Sequence, residues 1–223
     1  INDGVIFVEA SGAAISAALL DGNIYLKWSV RQITTFHNHQ IKNPVKLCGP
    51  SLYSETPEKY MFVINRDGSV AAMSWFNDFD PESIGFVPWD TRGLFVSISP
   101  IFGGYWAVID RTIGVTKKRF LEQFSSEAVL DCTVPATTLD VLMVNGLGLE
   151  VNGEPLNIAT TNAIPLAGAT VTVWNNGFDY GDHLVLTDGT IDEDVPDGSV
   201  AGFNFVSTVG VWPVEVIESE RAG

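Results

Sequence analysis

The amino-acid sequence predicts an all-β fold. Hydrophobic residues make up 46% of the 223 residues, enough for a buried core, and they fall in short runs rich in β-branched and aromatic side chains. The 21 glycines and 11 prolines recur between these runs, where they mark turns. Asn-Gly and Asp-Gly pairs, which favour tight hairpins, punctuate the second half of the chain.

Three strand–turn–strand units are predicted in the first part of the chain, over residues 4–20, 60–75 and 105–124. The turn Arg66-Asp67-Gly68-Ser69 is the strongest hairpin signal, because Gly68 readily adopts a positive φ. Alternation along the strands predicts four-stranded antiparallel units packed face to face. The side chains expected to point inward are Phe7, Phe62, Val63, Trp106 and Val108.

The hairpins repeat along the chain. Their first strands begin near residues 5, 61 and 106, and another extended stretch lies at 94–98. Several short strands recurring every 40–50 residues or so are typical of β-propeller blades. Any all-β protein also has loosely spaced hairpins, so the period alone leaves both alternatives open.

One segment is predicted to be a short helix. Over residues 30–41 the apolar side chains Val30, Ile33, Phe36 and Ile41 fall near one helical face, and Asn43-Pro44 would end the helix. The neighbouring threonines, 34 and 35, also suit a strand.

A second β unit is predicted after residue 127. Residues 129–135 form a connecting strand, and five Asn-Gly or Asp-Gly turns separate the short strands that follow, which is typical of a small barrel or sandwich. The predicted organisation is therefore propeller-like blades over 1–127, a small acidic β domain over 128–217 and a tail over 218–223.

Charge divides the chain near the same place. The formal net charge is −15, yet residues 1–119 carry eleven basic and eleven acidic side chains, whereas residues 120–223 carry sixteen acids and one base, Arg221. A net basic nucleic-acid-binding surface is therefore not expected. No apolar run approaches the ~18 residues of a membrane-spanning helix, so no membrane insertion by this segment is predicted.

The sequence contains no motif that clearly matches a catalytic or ligand-binding pattern. We therefore predict no catalytic, cofactor-binding or metal-binding residues, and we predict that the chain is not an enzyme. Asp78, Asp80 and Glu82 resemble a glycosidase carboxylate pair but fit a solvated loop better. Residues 192–198 depart from a calcium loop in spacing and contain Pro196. His37 and His39 are two residues apart and could begin a metal site, but His183 is the only other histidine and no acid lies within ten residues of the pair to complete the site. Cys48 and Cys132 are predicted to be reduced and buried.

The order of several segments resembles one family. Residues 60–75, with the Asp-Gly turn, are followed by Gly85-Phe86-Val87-Pro88-Trp89, then by the hairpin strand 105–114, whose return strand ends at 119–124. This series is similar to the tail nozzle (tail tubular protein B) family of short-tailed, podovirus-type bacteriophages. The likeness covers 1–124 well and 128–217 loosely, including the run Thr170-Val171-Thr172-Val173-Trp174.

The resemblance implies a virion structural protein. Subunits of the family form a hexameric nozzle in the phage tail, through which DNA is ejected, beside tail adaptor and fibre proteins. DNA would pass without tight binding, because an acidic lumen repels phosphate. Only about half of a propeller would be present, so we expect this chain, which opens on Ile1, to be a piece of a longer polypeptide or a processed product.

Two other functions stay open. A carbohydrate-binding or depolymerising β module of a phage tail or cell surface would use tryptophans as stacking platforms: Trp28, Trp75, Trp89, Trp106, Trp174 and Trp212. A two-domain β scaffold with no viral role is the third alternative.

Overall fold

The computed structural model describes residues 4–21, 27–49, 59–75, 85–101, 104–124, 130–135, 150–151, 154–157, 166–191 and 195–205. Over these residues the fold is all-β, as predicted, with sixteen strands in four open sheets and a short 3₁₀ turn at Asn38–Gln40. No sheet formed by the described residues closes on itself, so the barrel alternative for the second unit is wrong there.

The first two sheets are antiparallel. Sheet A has three strands in the order β1-β2-β3: β1 (Gly4–Val8), β2 (Ile15–Asp21) and β3 (Lys27–Gln32). Sheet B has four strands in the order β4-β5-β6-β7: β4 (Pro44–Cys48), β5 (Lys59–Asn65), β6 (Val70–Trp75) and β7 (Phe86–Trp89).

Sheet C contains strands from both halves of the chain. Its order is β12-β13-β10-β9-β8: β8 (Leu94–Ile101), β9 (Gly104–Ile113), β10 (Thr116–Gln123), β12 (Glu150–Val151) and β13 (Glu154–Asn157). The β10–β13 pair is parallel, and the others are antiparallel. Sheet D is antiparallel in the order β11-β16-β14-β15: β11 (Asp131–Pro135), β14 (Thr170–Asn175), β15 (Phe178–Leu184) and β16 (Val200–Phe203).

Sheet B is buried on both faces, because successive side chains of a strand point to opposite sides. On β5, Met61 and Val63 pack with side chains of sheet A, whereas Phe62 and Ile64 pack with side chains of sheet C. A third core cluster joins sheet D to Ile113 and Phe120 at the β9–β10 end of sheet C. Sheet B therefore packs between sheets A and C. Sheet D packs on the same face of sheet C as sheet B does, at the β9–β10 end, because Ile109, Ile113 and Phe120 point to one side of that sheet.

Sheets B and C are tied by polar contacts as well as by apolar ones. The Tyr105 hydroxyl donates to the Tyr60 carbonyl at 3.0 Å and accepts from the Tyr60 N–H at 3.2 Å. Around it, the Phe62 ring lies 4.9 Å from the ring of Tyr105 and 5.1 Å from that of Trp89, both edge-on. Edge-to-face aromatic pairs of this kind add to the burial of apolar area.

The predicted turns form where glycine supplies the left-handed conformation. Gly68 has φ 82° in the β5–β6 hairpin, as predicted. In the β14–β15 hairpin, Asn176 and Gly177 have φ 48° and 86°, the pair of positive values of a type I′ turn. Of the five predicted Asn-Gly and Asp-Gly turns, the two at 145–146 and 152–153 lie outside the described residues.

The helix predicted at 30–41 is wrong. Val30 lies in strand β3 and is exposed, as is Phe36, whereas Ile33 and Ile41 are buried. The Thr34 hydroxyl accepts a hydrogen bond from the Ile15 N–H at 3.0 Å and the Thr35 hydroxyl donates to the Gln32 carbonyl, which favours an extended segment ending in a turn. The β-branched threonines, not the apolar spacing, therefore indicated the observed conformation.

Other details of the first part also differ from expectation. Of the three sheets that contain strands of the first part, only sheet B has four strands, since sheet A has three and sheet C has five. Phe62, Val63 and Val108 are buried as predicted, but Phe7 is 36% exposed, because it lies on the face of sheet A that no described sheet covers. Trp106 is half-buried.

The boundary predicted at 127/128 is crossed by packing. β13 pairs with β10, and the core of sheet D includes Ile113 and Phe120. The division into 1–127, 128–217 and 218–223 stays a prediction, and the last segment lies outside the described residues. The described part of the chain has no helix long and apolar enough to cross a membrane.

Candidate functional site

A buried charge cluster joins sheet C to sheet D. Arg111 on β9 is 1% exposed. Its guanidinium donates to both carboxylate oxygens of Glu122 at 2.7 Å and to both of Asp131 at 2.8 and 2.9 Å. Two bidentate pairs use the planar fork of arginine in a way that a lysine ammonium does not reproduce.

Asp131 has further partners in the loop before β8. Its carboxylate accepts from the Thr91 hydroxyl at 2.8 Å and from the Arg92 N–H at 2.8 Å. Burial by itself would raise the pKa of Asp131, but the hydrogen bonds and charge of Arg111, with the Arg92 and Thr91 contacts, outweigh it and hold this pKa below its ordinary value.

The contacts of Arg111 hold sheets C and D together and keep its guanidinium in the charged form. Burial alone would lower the pKa of Arg111, but its hydrogen bonds to Glu122 and Asp131 raise it, so the guanidinium stays charged. It also lies 5.7 Å from the centre of the Phe203 ring on β16. This cluster was not predicted from the sequence. The available signal was an arginine between the apolar residues Ile109 and Ile113 of one strand.

A second ion cluster lies beside it on the β9–β10 hairpin. Arg119 and Lys117 both contact the Asp110 carboxylate, Lys117 at 3.0 Å. The hydrogen bond from Arg119 lowers the pKa of Asp110 and outweighs its burial, with help from Lys117. Three basic side chains of 111–119 are thus already paired.

Both cysteines are free and buried, as predicted. Burial raises the pKa of the Cys48 thiol to about 11. Burial also raises the pKa of Cys132 well above its ordinary value, and this residue has φ 54°, unusual for a residue other than glycine. Both thiols therefore stay protonated at neutral pH and are poor nucleophiles.

The histidines do not come together. The rings of His37 and His39 are 6.3 Å apart, and burial, with the neighbouring His39, lowers the pKa of His37. His183 lies on β15, where its Nε2 is 3.1 Å from the Tyr180 carbonyl oxygen. Within the described ranges no three His, Cys, Asp or Glu side chains are grouped as metal ligands would be.

The acidic motifs fall largely outside the described residues. Asp78, Asp80 and Glu82 lie there, as do residues 192–194 of the calcium-like segment. The rest of that segment forms a turn in which Gly198 has φ 79° and Ser199 donates through its hydroxyl and its N–H to the Pro196 carbonyl.

A polar cleft lies at one end of sheet B. Two adjoining cavities, of about 140 and 310 Å³, share Ser69 and Asp90 in their walls. Trp89 and Thr91 line the smaller one, and the larger is lined also by His39, Gln40, Lys42, Val70 and Pro88. The Gln40 amide donates to the Phe86 carbonyl, while its buried Oε1 has no hydrogen-bond partner. The cleft is large enough for a small polar molecule.

Two surfaces of the described residues expose apolar side chains. The first lies on sheet A, where Val5, Phe7, Trp28 and Val30 share one face and the exposed Lys27 and Arg31 of β3 point to the opposite face. The second lies along β15 and the residues after it, where Phe178, Tyr180, Leu184 and Leu186 are exposed beside Asp179 and Asp182. Trp28 is 54% exposed, whereas Trp89, Trp106 and Trp174 are half-buried.

No family model matches this chain. No curated protein and no solved structure matches it significantly either.

Proposed function

We propose that the chain is a structural subunit of a phage tail nozzle, which self-associates into a hexameric tube through which DNA is ejected. The observation that carries the proposal is the stacking of the open sheets A, B and C, whose antiparallel strands β1 to β10 follow one another in chain order, with sheet B covered on both faces by its neighbours. Propeller blades pack in this manner, and the resemblance of the sequence is to a family of such proteins.

Charge supports the same proposal. Residues 120–223 hold the whole negative excess, with Arg221 as their single base. A surface that cannot neutralise phosphates lets duplex DNA pass without retaining it. Arg111, Arg119 and Lys117, which lie before that region, are paired with carboxylates and so are less available to phosphate.

Antibody labelling tests the proposal. Antibodies raised against the recombinant chain are applied to purified particles of the short-tailed phage whose genome encodes the chain. The bound antibodies are then located by electron microscopy. Labelling at the tail tip is the expected result. If mass spectrometry does not find the chain among the proteins of these particles, the proposed function is contradicted.

Carbohydrate binding is the second candidate, and the polar cleft beside Trp89 favours it. Its wall includes Asp67, Asp90 and Ser69, side chains of the kind that hydrogen-bond to sugar hydroxyls. A glycan array distinguishes the two functions. Binding that is lost on Asp90→Ala would favour the carbohydrate-binding module.

A further inference from the structure

The tip of the β14–β15 hairpin is an asparagine–glycine pair in open space. Asn175 and Phe178 pair across the two strands, so Asn176 and Gly177 by themselves form the loop. Their φ angles are 48° and 86°, and both residues are exposed. A Cβ added at Gly177 would meet no atom within 4 Å. The loop can therefore change its main-chain conformation without displacing a packed side chain.

Neither polar group of this pair is held by a hydrogen bond. Among the described residues, the Asn176 side-chain amide has no partner, and the Gly177 N–H has none either. When glycine follows asparagine, the glycine nitrogen can attack the side-chain carbonyl carbon of the asparagine and close a ring. Glycine favours this attack, because it has no Cβ to crowd the nitrogen and it rotates freely about its main chain.

Other asparagines of the described residues are held in place. Asn65 is 2% exposed, and its side-chain amide donates to the Gln40 carbonyl at 2.9 Å. Asn175 is 6% exposed, and its amide donates to the Ser199 hydroxyl at 3.0 Å. Ring closure at either position would break buried hydrogen bonds, which costs free energy. Asn176 carries no such cost.

The aspartate–glycine turns of the same fold differ in two ways. In the Asp67-Gly68 turn the glycine N–H donates to the Asn65 carbonyl at 3.0 Å. In the Asp188-Gly189 turn the glycine N–H donates to the Leu186 carbonyl, also at 3.0 Å. Aspartate is moreover ionised at neutral pH, and an ionised carboxylate is a poor electrophile. A neutral amide beside an unbonded glycine N–H is the more reactive pair.

We propose that Asn176 is a site of spontaneous deamidation, with water as the co-reactant. The Gly177 nitrogen forms a bond to the Asn176 Cγ, and the bond from Cγ to Nδ2 breaks. Nδ2 leaves as ammonia with the proton of the Gly177 N–H. Water then opens the succinimide ring at either of its carbonyls, which leaves an aspartate or an isoaspartate at position 176. The inference does not depend on the proposed nozzle function.

The isoaspartate product changes the hairpin. Its linkage places an additional methylene in the main chain, so the loop no longer fits a type I′ turn. Because turn geometry fixes the register of a hairpin, the pairing of Asn175 with Phe178 is then lost. The aspartate product keeps the main chain, and aspartate tolerates a positive φ. The pairing is therefore retained in that product.

Peptide mapping tests the site. The purified chain is incubated at neutral and at mildly alkaline pH and digested with chymotrypsin, because residues 120–220 contain no lysine or arginine for trypsin. Tandem mass spectrometry of peptide 175–180 is expected to show conversion of amide to acid at Asn176, with Asn175 intact. Conversion is faster at the higher pH, because the Gly177 nitrogen must lose its proton to attack. Methylation by an isoaspartyl methyltransferase detects the isoaspartate product.

Two variants separate the chemistry from its effect on the hairpin. Asn176→Gly has no side-chain amide, and its Gly-Gly pair also suits a type I′ turn. Asn176→Asp supplies the negative charge with an unchanged main chain. Amide hydrogen exchange over residues 170–184 is expected to become faster in the incubated wild-type chain than in either freshly prepared variant. Incubation leaves exchange in Asn176→Gly unchanged.

A urea-unfolded sample of the wild-type chain provides the reference for the folded one. If peptide 175–180 is converted in the unfolded chain but stays unmodified in the folded chain, the hairpin protects Asn176 and the proposal is overturned. Conversion of Asn65 or Asn175 before Asn176 in the folded chain would overturn it as well. Unchanged exchange in a chain shown to contain isoaspartate would overturn the predicted loss of pairing.

Discussion

Arg111 shows at the scale of single residues how a buried charge is tolerated. Removing a guanidinium from water costs several kcal/mol, and this cost is offset only when the partners and geometry are complete. Here Glu122 and Asp131 each accept two hydrogen bonds from it. Because the partners come from β10 and β11, the cluster also fixes how sheets C and D meet.

We expect Arg111→Met to lower the free energy of unfolding by about 3–5 kcal/mol, because it leaves two carboxylates facing each other without a counter-charge. Urea denaturation followed by tryptophan fluorescence measures the change. The matched control is Arg66→Met at an exposed position, expected to change stability by no more than about 0.5 kcal/mol. Equal, small effects of the two substitutions would show that the cluster does not stabilise the fold.

Acid should destabilise the protein through both ion clusters, that of Arg111 and that of Asp110. The pKa values of Asp110 and Asp131 are lowered below the ordinary aspartate value of 3.8. A carboxyl with a lowered pKa contributes stability that is present above its unfolded pKa and lost as pH falls through its folded pKa. We therefore expect the free energy of unfolding to decrease steeply below about pH 4. Asp131→Asn should make this decrease less steep, and a wild-type slope in the variant would contradict the assignment.

At the scale of elements, alternation explains why sheet B is central. The run Tyr60–Ile64 places Met61 and Val63 on one side and Phe62 and Ile64 on the other, and all four are at most 2% exposed. A strand that is apolar at every position needs cover on both faces. Strand β3 instead has Ser29 between Trp28 and Val30, and the described sheets cover only the face of its sheet that is opposite to these two side chains.

The hairpin glycines allow two causes of strain to be separated. A Cβ added at Gly68 would lie 2.7 Å from the Leu94 Cβ, whereas one added at Gly114 would meet no atom within 4 Å. Both residues have positive φ, 82° and 60°. We expect Gly114→Ala to cost about 1–2 kcal/mol, the penalty of an L-residue in that conformation. Gly68→Ala should cost more, because β8 must also move away.

Thermal or urea unfolding of the two variants measures both costs under the same conditions. Leu94 follows the loop that carries Thr91, so its displacement should also disturb the contact with Asp131. If Gly68→Ala and Gly114→Ala lower the free energy of unfolding equally, the close approach of β8 to the β5–β6 turn adds nothing to the cost of the Gly68 substitution.

At the scale of the whole molecule, the separation of charge governs contact with nucleic acid. We expect the isolated chain not to retain duplex DNA at physiological salt, because residues 120–223 hold sixteen acids and one base. Gel-shift titrations between roughly 50 and 200 mM salt, where binders of many phosphates weaken steeply, test this expectation. Tight binding with a steep salt dependence would contradict it.

Local chemistry made much of the fold predictable. The turns at Gly68 and Asn176-Gly177 follow from residues that tolerate positive φ, and the strands follow from short β-branched and aromatic runs. The predicted helix at 30–41 was wrong, because apolar spacing over twelve residues fits a helix and an irregular extended segment equally well. The hydrogen bond from the Ile15 N–H to Thr34, nineteen positions apart, decided between them.

The sequence by itself determined that this chain forms short strands joined by glycine turns, that it buries two thiols, and that its acidity lies in one half. Those properties depend on residue type and on near neighbours. Tertiary structure alone decided that Arg111 meets Asp131, that Phe7 stays exposed and that β13 joins sheet C. Each of these depends on which surfaces meet after folding, and a contact between residues far apart in the chain leaves no periodic trace in the sequence.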